Sequence, residues 1–512
     1  MKPQRCVLIA SVIILCLGIP GQASQSLFVP TLPQTQNIDL KDTNFTPFPK
    51  TLDYAFPNGV KIKVHFDAQT LKNAGAGAFF AQDVLNAAVE AYQNITEFQG
   101  FSTAGYTFAM PNKNYAYDPD KTIDVFIGDS QEISKVSQAP SWMVFKDAPC
   151  FDTIHRSGAA YDAVILLPAN YKDFIRGWEK INPSPLGTRN VEVDLRGTLI
   201  HEMLHVIIFY YNHNLNHDAE TARDGKGKHP VDWYVEGLAR YFETFAGARH
   251  DFFSQGFKQT LPNKIQFSRG GANYFMRYPD QPFTDLRYEN ALFWRFIDTR
   301  YGMSSIERLT RAFRGQDAND FRQALEKATG VPFEKLLKTF SIAVLFKDFE
   351  LKEDAQYLKD IAKTHLIYKE SLLWLTDGTG KNKPLGTVCR TDWIGQWESV
   401  TAKHGEMSVA GDSTPECDVS RWATDYYQID IAADSKALPN FTVYQDEKEP
   451  RLSVQTVVRT KGGSLIILDV ATELDQAVRD HGLASADIET VFLLVTNTSF
   501  SGPTRYEIAV FS

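Results

Sequence analysis

The chain has 512 residues, of which 43% are hydrophobic and 22% are charged, and its formal net charge is −9 with a pI of about 5.7. This is ordinary globular composition, with enough apolar material for roughly two to four domains. The acidic balance argues against nucleic-acid binding, because proteins that neutralise phosphate backbones carry an excess of basic residues.

The first residues predict a secretory signal peptide over residues 1–23. Lys2 and Arg5 precede the apolar run Val7–Leu17, and the small residues of Gly21–Ala23 fit a cleavage site. The run is shorter than the roughly 20 apolar residues that a transmembrane helix requires, and no later stretch reaches that length. We therefore expect a secreted protein, or a periplasmic one in a Gram-negative bacterium, without a membrane span. An uncleaved N-terminal anchor is the alternative.

Beyond the signal, three cysteines remain: Cys150, Cys389 and Cys417. Cys389 and Cys417 lie close together in a β-rich region, where a disulfide would contribute roughly 3–4 kcal/mol in the chain-entropy model. We predict that pair, with Cys150 as a buried free thiol. Sequons of the form Asn-x-Ser/Thr also occur by chance and do not decide the compartment. They begin at Asn44, Asn94, Asn440 and Asn497.

Residues 24–57 are rich in Ser, Thr, Pro and Gln and show no sustained periodicity, which predicts an extended leader or a short pro-segment. Further along, alternating apolar residues predict strands, and a helical period predicts a helix. The strands are expected at 60–66, 122–127 and 161–167, and the helix at 80–98. A long polar loop is expected at 128–160. These elements predict an α+β N-terminal lobe over residues 58–190.

Residues 191–365 have the pattern of a helical lobe, with glycines between the later helices. Helices are predicted at 194–212, 231–247, 288–301, 304–314, 317–328 and 332–347. Short runs of β-branched and aromatic residues then predict a β-sandwich accessory domain over 366–512. Its strands are expected at 426–431, 441–444, 452–458, 464–469, 491–495 and 506–511. Exposed aromatic residues there would bind a glycan or a cell-surface partner, although aromatic residues in strands usually pack in a core.

The motif that carries chemistry is His201-Glu202-Met203-Leu204-His205, in an apolar helix. Residues four apart share one helix face, so both imidazoles can point at one ion. Glu202 lies one step round the helix and can reach a water on that ion without ligating it. Zinc would need a third protein ligand and an open fourth position. The alternative interpretation is two histidines with satisfied ring nitrogens in a core helix.

The third ligand distinguishes the classes of zinc site. A metzincin is excluded, because Ile208 and Tyr211 stand where its pattern needs Gly and His. Three further histidines lie in a polar stretch that predicts a surface loop: His213, His217 and His229. Glu236, near the start of a second predicted helix, is the stronger candidate.

The order His-Glu-x-x-His, then Trp-x-x-Glu-Gly-x-Ala-x-Tyr over residues 233–241, resembles the gluzincin metallopeptidases, in particular the peptidase MA-like domains. The resemblance covers about residues 155–347. It implies a thermolysin-like catalytic domain with a mixed sheet lobe and a helical lobe. It also implies one zinc ion, with Glu202 as the general base. The implied metal ligands are His201, His205 and Glu236.

The same resemblance implies that Tyr288 stabilises the transition state. Tyr288 opens a segment similar to the family's next helix, although Ala291 stands where the family pattern has Gly, so Tyr274 and Tyr278 compete for the role. Thirty residues separate His205 from Glu236, more than in better-known gluzincins, and a polar insertion accounts for the difference. No Gly-Ala-Met-Glu-Asn-like segment precedes the motif, which argues against strict aminopeptidase action.

The sequence thus predicts a secreted zinc metallopeptidase acting on peptide or protein substrates, as an endopeptidase. An extended substrate is expected to pair with 161–167 as an edge strand. Glu243 is expected either to orient a ligand or to be a solvated carboxylate. Two alternatives stay open: a surface- or glycan-binding protein with a structural zinc domain, and a gluzincin-fold hydrolase of a non-peptide bond. Glu202 favours catalysis, since a structural site needs no base.

Overall fold

The structure is a computed structural model. All of its described residues belong to one compact unit. They are residues 47–77, 80–101, 121–129, 131–133, 150–156, 160–173, 191–212, 231–245, 290–315, 317–349, 368–376, 382–385, 418–445, 452–468, 470–499 and 502–511, with Ile38, Asp39, Leu215, Pro279, Gln281, Thr284 and Leu366.

The N-terminal part is a mixed sheet covered by helices. In space the strands follow the order β1-β2-β3-β4-β6-β5, in which β3, β4 and β6 are parallel and the others antiparallel to their neighbours. The strands are β1 Ile38–Asp39, β2 Lys50–Ala55, β3 Lys61–Phe66, β4 Thr122–Gly128, β5 Cys150–Arg156 and β6 Ala160–Pro168. The helices are α1 Ala68–Asn73 and α2 Phe80–Gln93, the latter followed by a π-turn at Asn94–Phe98. The predicted strands and helix of this lobe are confirmed.

The centre of this sheet is buried on both faces. Every residue of β4 is buried, as expected of a parallel strand with layers on either side. His65 of β3 and Asp124 of β4 are part of this interior, where His65 Nε2 lies 2.6 Å from Asp124 Oδ1. A buried carboxylate needs such a partner, so this pair is accounted for by the sheet itself.

The edge of the sheet differs from the prediction. Residues 161–167 were expected to form an edge strand. This prediction is wrong, because β6 pairs with β4 on one side and with β5 on the other. Among the described strands β5 is the edge on this side of the sheet, and it lies within the stretch expected to be a polar loop. Its Cys-Phe-Asp-Thr-Ile-His-Arg sequence has no clean apolar alternation, and the strand forms through its pairing with β6 from Cys150↔Leu166 to Arg156↔Ala160.

The described residues in the middle of the chain are mainly helical, as predicted. Helix α3 is apolar nearly all round, and its buried residues pack against α2, β5 and β6. Helix α4 packs on α3 and continues into a 3₁₀ turn at Glu243–Phe245. The helices are α3 Val191–Tyr211, α4 Asp232–Phe242, α5 Ala291–Tyr301, α6 Met303–Ala312, α7 Ala318–Thr329 and α8 Phe333–Phe346.

The C-terminal part contains two sheets whose strands share one hydrophobic core. One sheet has the order β13-β12-β14-β10-β7-β8 and the other β11-β15-β9. All six predicted strands are confirmed, whereas β7, β8, β9 and helix α9 Leu474–Asp480 were not predicted. The strands are β7 Glu370–Thr376, β8 Asn382–Leu385, β9 Asp418–Val419, β10 Thr424–Ile431, β11 Asn440–Gln445, β12 Leu452–Thr460, β13 Leu465–Leu468, β14 Ile488–Asn497 and β15 Thr504–Phe511.

The whole described chain is therefore a mixed α+β protein with several sheets, as predicted at that level. None of its described helices has both the length and the hydrophobicity needed to cross a membrane. Some predictions fall outside the described residues. They are the signal peptide at 1–23, the Cys389–Cys417 pairing, the three loop histidines, and Tyr288 with its alternatives Tyr274 and Tyr278.

Candidate metal centre

Two histidines on α3 form one side of the site. His201 and His205 are one helical turn apart, and their side chains are only 9% and 8% exposed. The Nε2 atoms of the two rings lie 3.2 Å apart. The spacing of the motif thus places both imidazoles on the same face of a buried helix.

Helix α4 contributes the third group. Glu236 Oε2 lies 3.3 Å from His201 Nε2 and 3.9 Å from His205 Nε2. The three candidate ligand atoms are all within 4.8 Å of one another. Ligand bonds of about 2.0–2.1 Å in a tetrahedral site place donor atoms roughly 3.3 Å apart, so this arrangement fits a single metal ion.

The protonation pattern of His201 supports that fit. His201 Nδ1 lies 2.7 Å from Glu243 Oε1, so the Nδ1–H donates to a carboxylate that can only accept. In a neutral ring the Nε2 lone pair then faces Glu236 Oε2. Two lone pairs at that distance repel unless a cation lies between them. The donor set therefore calls for a positive charge at this point.

Without an ion between the two groups, a proton on Nε2 would supply that charge. Burial lowers the pKa of His201, but hydrogen bonds to Glu236 and Glu243 and the nearby Glu202 charge outweigh it and raise the pKa to about 10. A bound metal cation would take the place of that proton. The same acidic surroundings attract a metal cation. Glu202 itself is 9% exposed, next to His201 on α3. The site thus combines three candidate ligands with one further buried carboxylate.

Glu243 is held in place by two partners. Besides His201, it accepts a 2.7 Å hydrogen bond from Arg240 Nη1. Burial raises the pKa of Glu243, but the Arg240 charge and the His201 hydrogen bond lower it below its usual value. Only 4% of Glu243 is exposed, so its interpretation as a solvated carboxylate is wrong. The carboxylate fixes the ring orientation of His201.

Replacing Glu243 by Gln is expected to weaken metal binding about 10-fold or more, since outer partners of a ligating histidine typically contribute 10- to 100-fold in affinity. The amide keeps the size of the side chain but loses the charge that fixes the His201 tautomer. Competition of the purified protein with a chromogenic zinc chelator measures the change. Glu334→Gln, on an exposed part of α8, is the matched control. If Glu243→Gln binds zinc with wild-type affinity, Glu243 serves only to neutralise the charge of Arg240 and does not position His201 for the metal.

The position of α4 is set by contacts that the sequence did not reveal. Tyr234 Oη lies 2.8 Å from Thr310 Oγ1 on α6, and burial raises the Tyr234 pKa above its usual value. Tyr241 Oη donates to Asp298 Oδ2 on α5 at 2.5 Å. The two tyrosines therefore tie α4 to α6 and α5, and Glu236 lies between them on the same short helix.

Neither a protein-family model nor a curated protein sequence matches this chain. The fold and the site together define an α+β protein with a buried His201, His205 and Glu236 group that could hold a metal ion.

Proposed function

We propose that this chain is a secreted, zinc-dependent metallopeptidase of the gluzincin type, acting as an endopeptidase. The observation that carries the proposal is the convergence of His201, His205 and Glu236, with Glu202 buried beside them. Secretion is proposed from the N-terminal segment of the sequence alone.

The donor set favours zinc. Two imidazoles and one carboxylate are a common ligand set of catalytic zinc, whereas magnesium and calcium prefer all-oxygen sites. Non-haem iron also uses two histidines and a carboxylate. Glu202 favours the hydrolytic choice, because a carboxylate next to the metal can move protons during hydrolysis and is not needed for a purely structural ion.

Zinc, when bound, supplies a Lewis acid that polarises a carbonyl and lets water ionise near pH 7. Glu202 accepts a proton from the attacking water and passes it to the leaving amine. Glu243 accepts the hydrogen bond of His201 Nδ1, which would leave the Nε2 lone pair to bind the ion. The low exposure of these side chains limits the competing access of bulk water to the charges at the site.

The edge position of strand β5 favours a peptide as the substrate. Among the described strands it is one of the two edges of the N-terminal sheet, and it packs, with β6, against the helix that carries both histidines. An extended peptide can add to such an edge through main-chain hydrogen bonds, which requires no free substrate terminus. This favours internal cleavage.

Metal removal tests the proposal. The purified protein, after chelation and again after zinc is restored, is incubated with a diverse peptide mixture, and products are read by mass spectrometry. We expect internal cuts whose rate falls about 100-fold or more on chelation and returns when zinc is restored, since the ion lowers the activation barrier by several kcal/mol. Cleavage that is insensitive to chelation contradicts a metallopeptidase. No cleavage by a zinc-loaded chain moves the assignment to a non-peptide hydrolase or a binding protein.

A further inference from the structure

A tight turn of the C-terminal part, Ser420–Thr424, lies against the helix that carries Glu236. Trp422 in this turn has a φ of +58°, in the left-handed region that bulky residues rarely adopt. Asn497 holds the turn in that shape: the Trp422 N–H donates to Asn497 O at 3.0 Å, and the Asn497 N–H donates to Ala423 O at 3.0 Å. The conformation is thus imposed by β14, which carries Asn497.

The turn directs the Trp422 ring into an aromatic cluster between the C-terminal part and the helical part of the chain. Only 3% of Trp422 is exposed. Its ring centroid lies 4.8 Å from that of Phe333, 5.7 Å from that of Phe321 and 6.4 Å from that of Trp233. Phe321 in turn packs edge-on against Trp233 at 4.7 Å. Trp422 therefore supports Trp233 both directly and through Phe321.

Trp233 lies in the first turn of α4, three residues before Glu236. Its carbonyl oxygen accepts a 3.0 Å hydrogen bond from Asn290 Nδ2, at the start of α5. A rotation or shift of this turn would move the Glu236 carboxylate by a similar amount, because a short helix behaves as a rigid rod. The aromatic cluster and Asn290 together fix that turn.

The same segment is anchored by polar contacts of its own. The Thr424 N–H donates to Pro279 O at 3.1 Å, and Arg421 Nη2 donates to Thr284 Oγ1 at 2.5 Å. Buried hydroxyls complete the junction: Thr424 Oγ1 lies 2.6 Å from Ser341 Oγ on α8. Buried polar groups of this kind keep their hydrogen bonds only in one position of the turn relative to the helices. These contacts therefore fix the turn against the helical part.

We propose that Trp422 is a positioning residue of the metal centre, which fixes the first turn of α4 and through it the Glu236 carboxylate. The C-terminal sheets are then part of the metal-binding unit rather than a separable accessory module. The inference rests on the proposed function only in taking Glu236 as a metal ligand.

Trp422→Gly is the informative variant, because glycine adopts the observed φ without strain and the turn keeps its shape while the ring is lost. Zinc affinity is measured by chelator competition on the full chain, well below the melting temperature of each variant, and the cobalt-substituted absorption spectrum reports the ligand geometry. We expect zinc affinity to fall about 10-fold or more, as for other partners that position ligands. Trp422→Phe should restore most of it. Should the glycine variant fail to fold, Trp422→Leu is measured in its place.

Val458→Ala is the matched control, because Val458 is buried in the core shared by the two C-terminal sheets. It should lower thermal stability and leave zinc affinity and the cobalt spectrum unchanged. Wild-type zinc affinity in Trp422→Gly overturns the inference, as does an equal loss of affinity in Val458→Ala. A wild-type chain that binds zinc but cuts no peptide contradicts the proposed function and leaves this inference intact.

Discussion

Replacing Glu202 by Gln is expected to abolish peptide hydrolysis while the metal stays bound. Gln has the same shape as Glu but cannot accept a proton, and general acid–base catalysis by a positioned side chain contributes roughly 10²- to 10⁴-fold to a rate. The three candidate ligands are untouched by the change. Peptide cleavage by the zinc-loaded variant, measured by mass spectrometry beside its metal content, checks both halves of the expectation.

The control for this variant is Glu334→Gln, which removes one carboxylate from an exposed position on α8 and should leave the rate unchanged. Full activity in Glu202→Gln would assign proton transfer to another group. Loss of both activity and zinc would make Glu202 part of metal binding instead.

Replacing Glu236 by Gln is expected to empty the metal centre. The change removes the negative charge that faces both histidine Nε2 atoms, and a neutral amide oxygen is a much poorer ligand for zinc. We expect the affinity to fall more than about 100-fold, beyond the 10- to 100-fold range of partners outside the ligand set. Dialysis against limiting zinc followed by elemental analysis measures the bound metal.

Glu97→Gln serves as its control, since Glu97 is exposed after α2, and it should retain one metal per chain. If Glu236→Gln still holds stoichiometric zinc with wild-type affinity, the third ligand lies elsewhere. The loop histidines His213, His217 and His229 are then the next residues to change.

Local patterns in the sequence predicted most regular elements, because each of those elements buries one face or all faces. The alternation in β3 and the uniform apolar character of α3 are examples. Strand β5 was missed because its side chains carry no such pattern and its order comes from the neighbouring β6. The predicted helix at 231–247 tightens into a 3₁₀ turn from Glu243, a change that no propensity marks.

For the site, helical spacing was enough to bring His201 and His205 together, and the resemblance of residues 233–241 indicated Glu236. The structure brings the three side chains into one cluster. The partners of these residues could not be predicted. The Glu243 contact depends on how the end of α4 turns towards α3, and the contact of Trp422 with Trp233 joins segments far apart in sequence. Such contacts follow from tertiary packing, which no local period records.

The burial of Asn497 limits the kind of cell in which the protein can be produced efficiently. Its side chain is fully buried, and Nδ2 donates to Val419 O at 2.9 Å and to Gly502 O at 3.0 Å. An N-linked sugar would replace one of those hydrogens and has no space in the folded chain. In a cell that modifies Asn-Thr-Ser, folding of the last two strands and sugar attachment therefore compete for the same nitrogen. Every modified copy is withheld from the native state, and a host without this pathway avoids that loss.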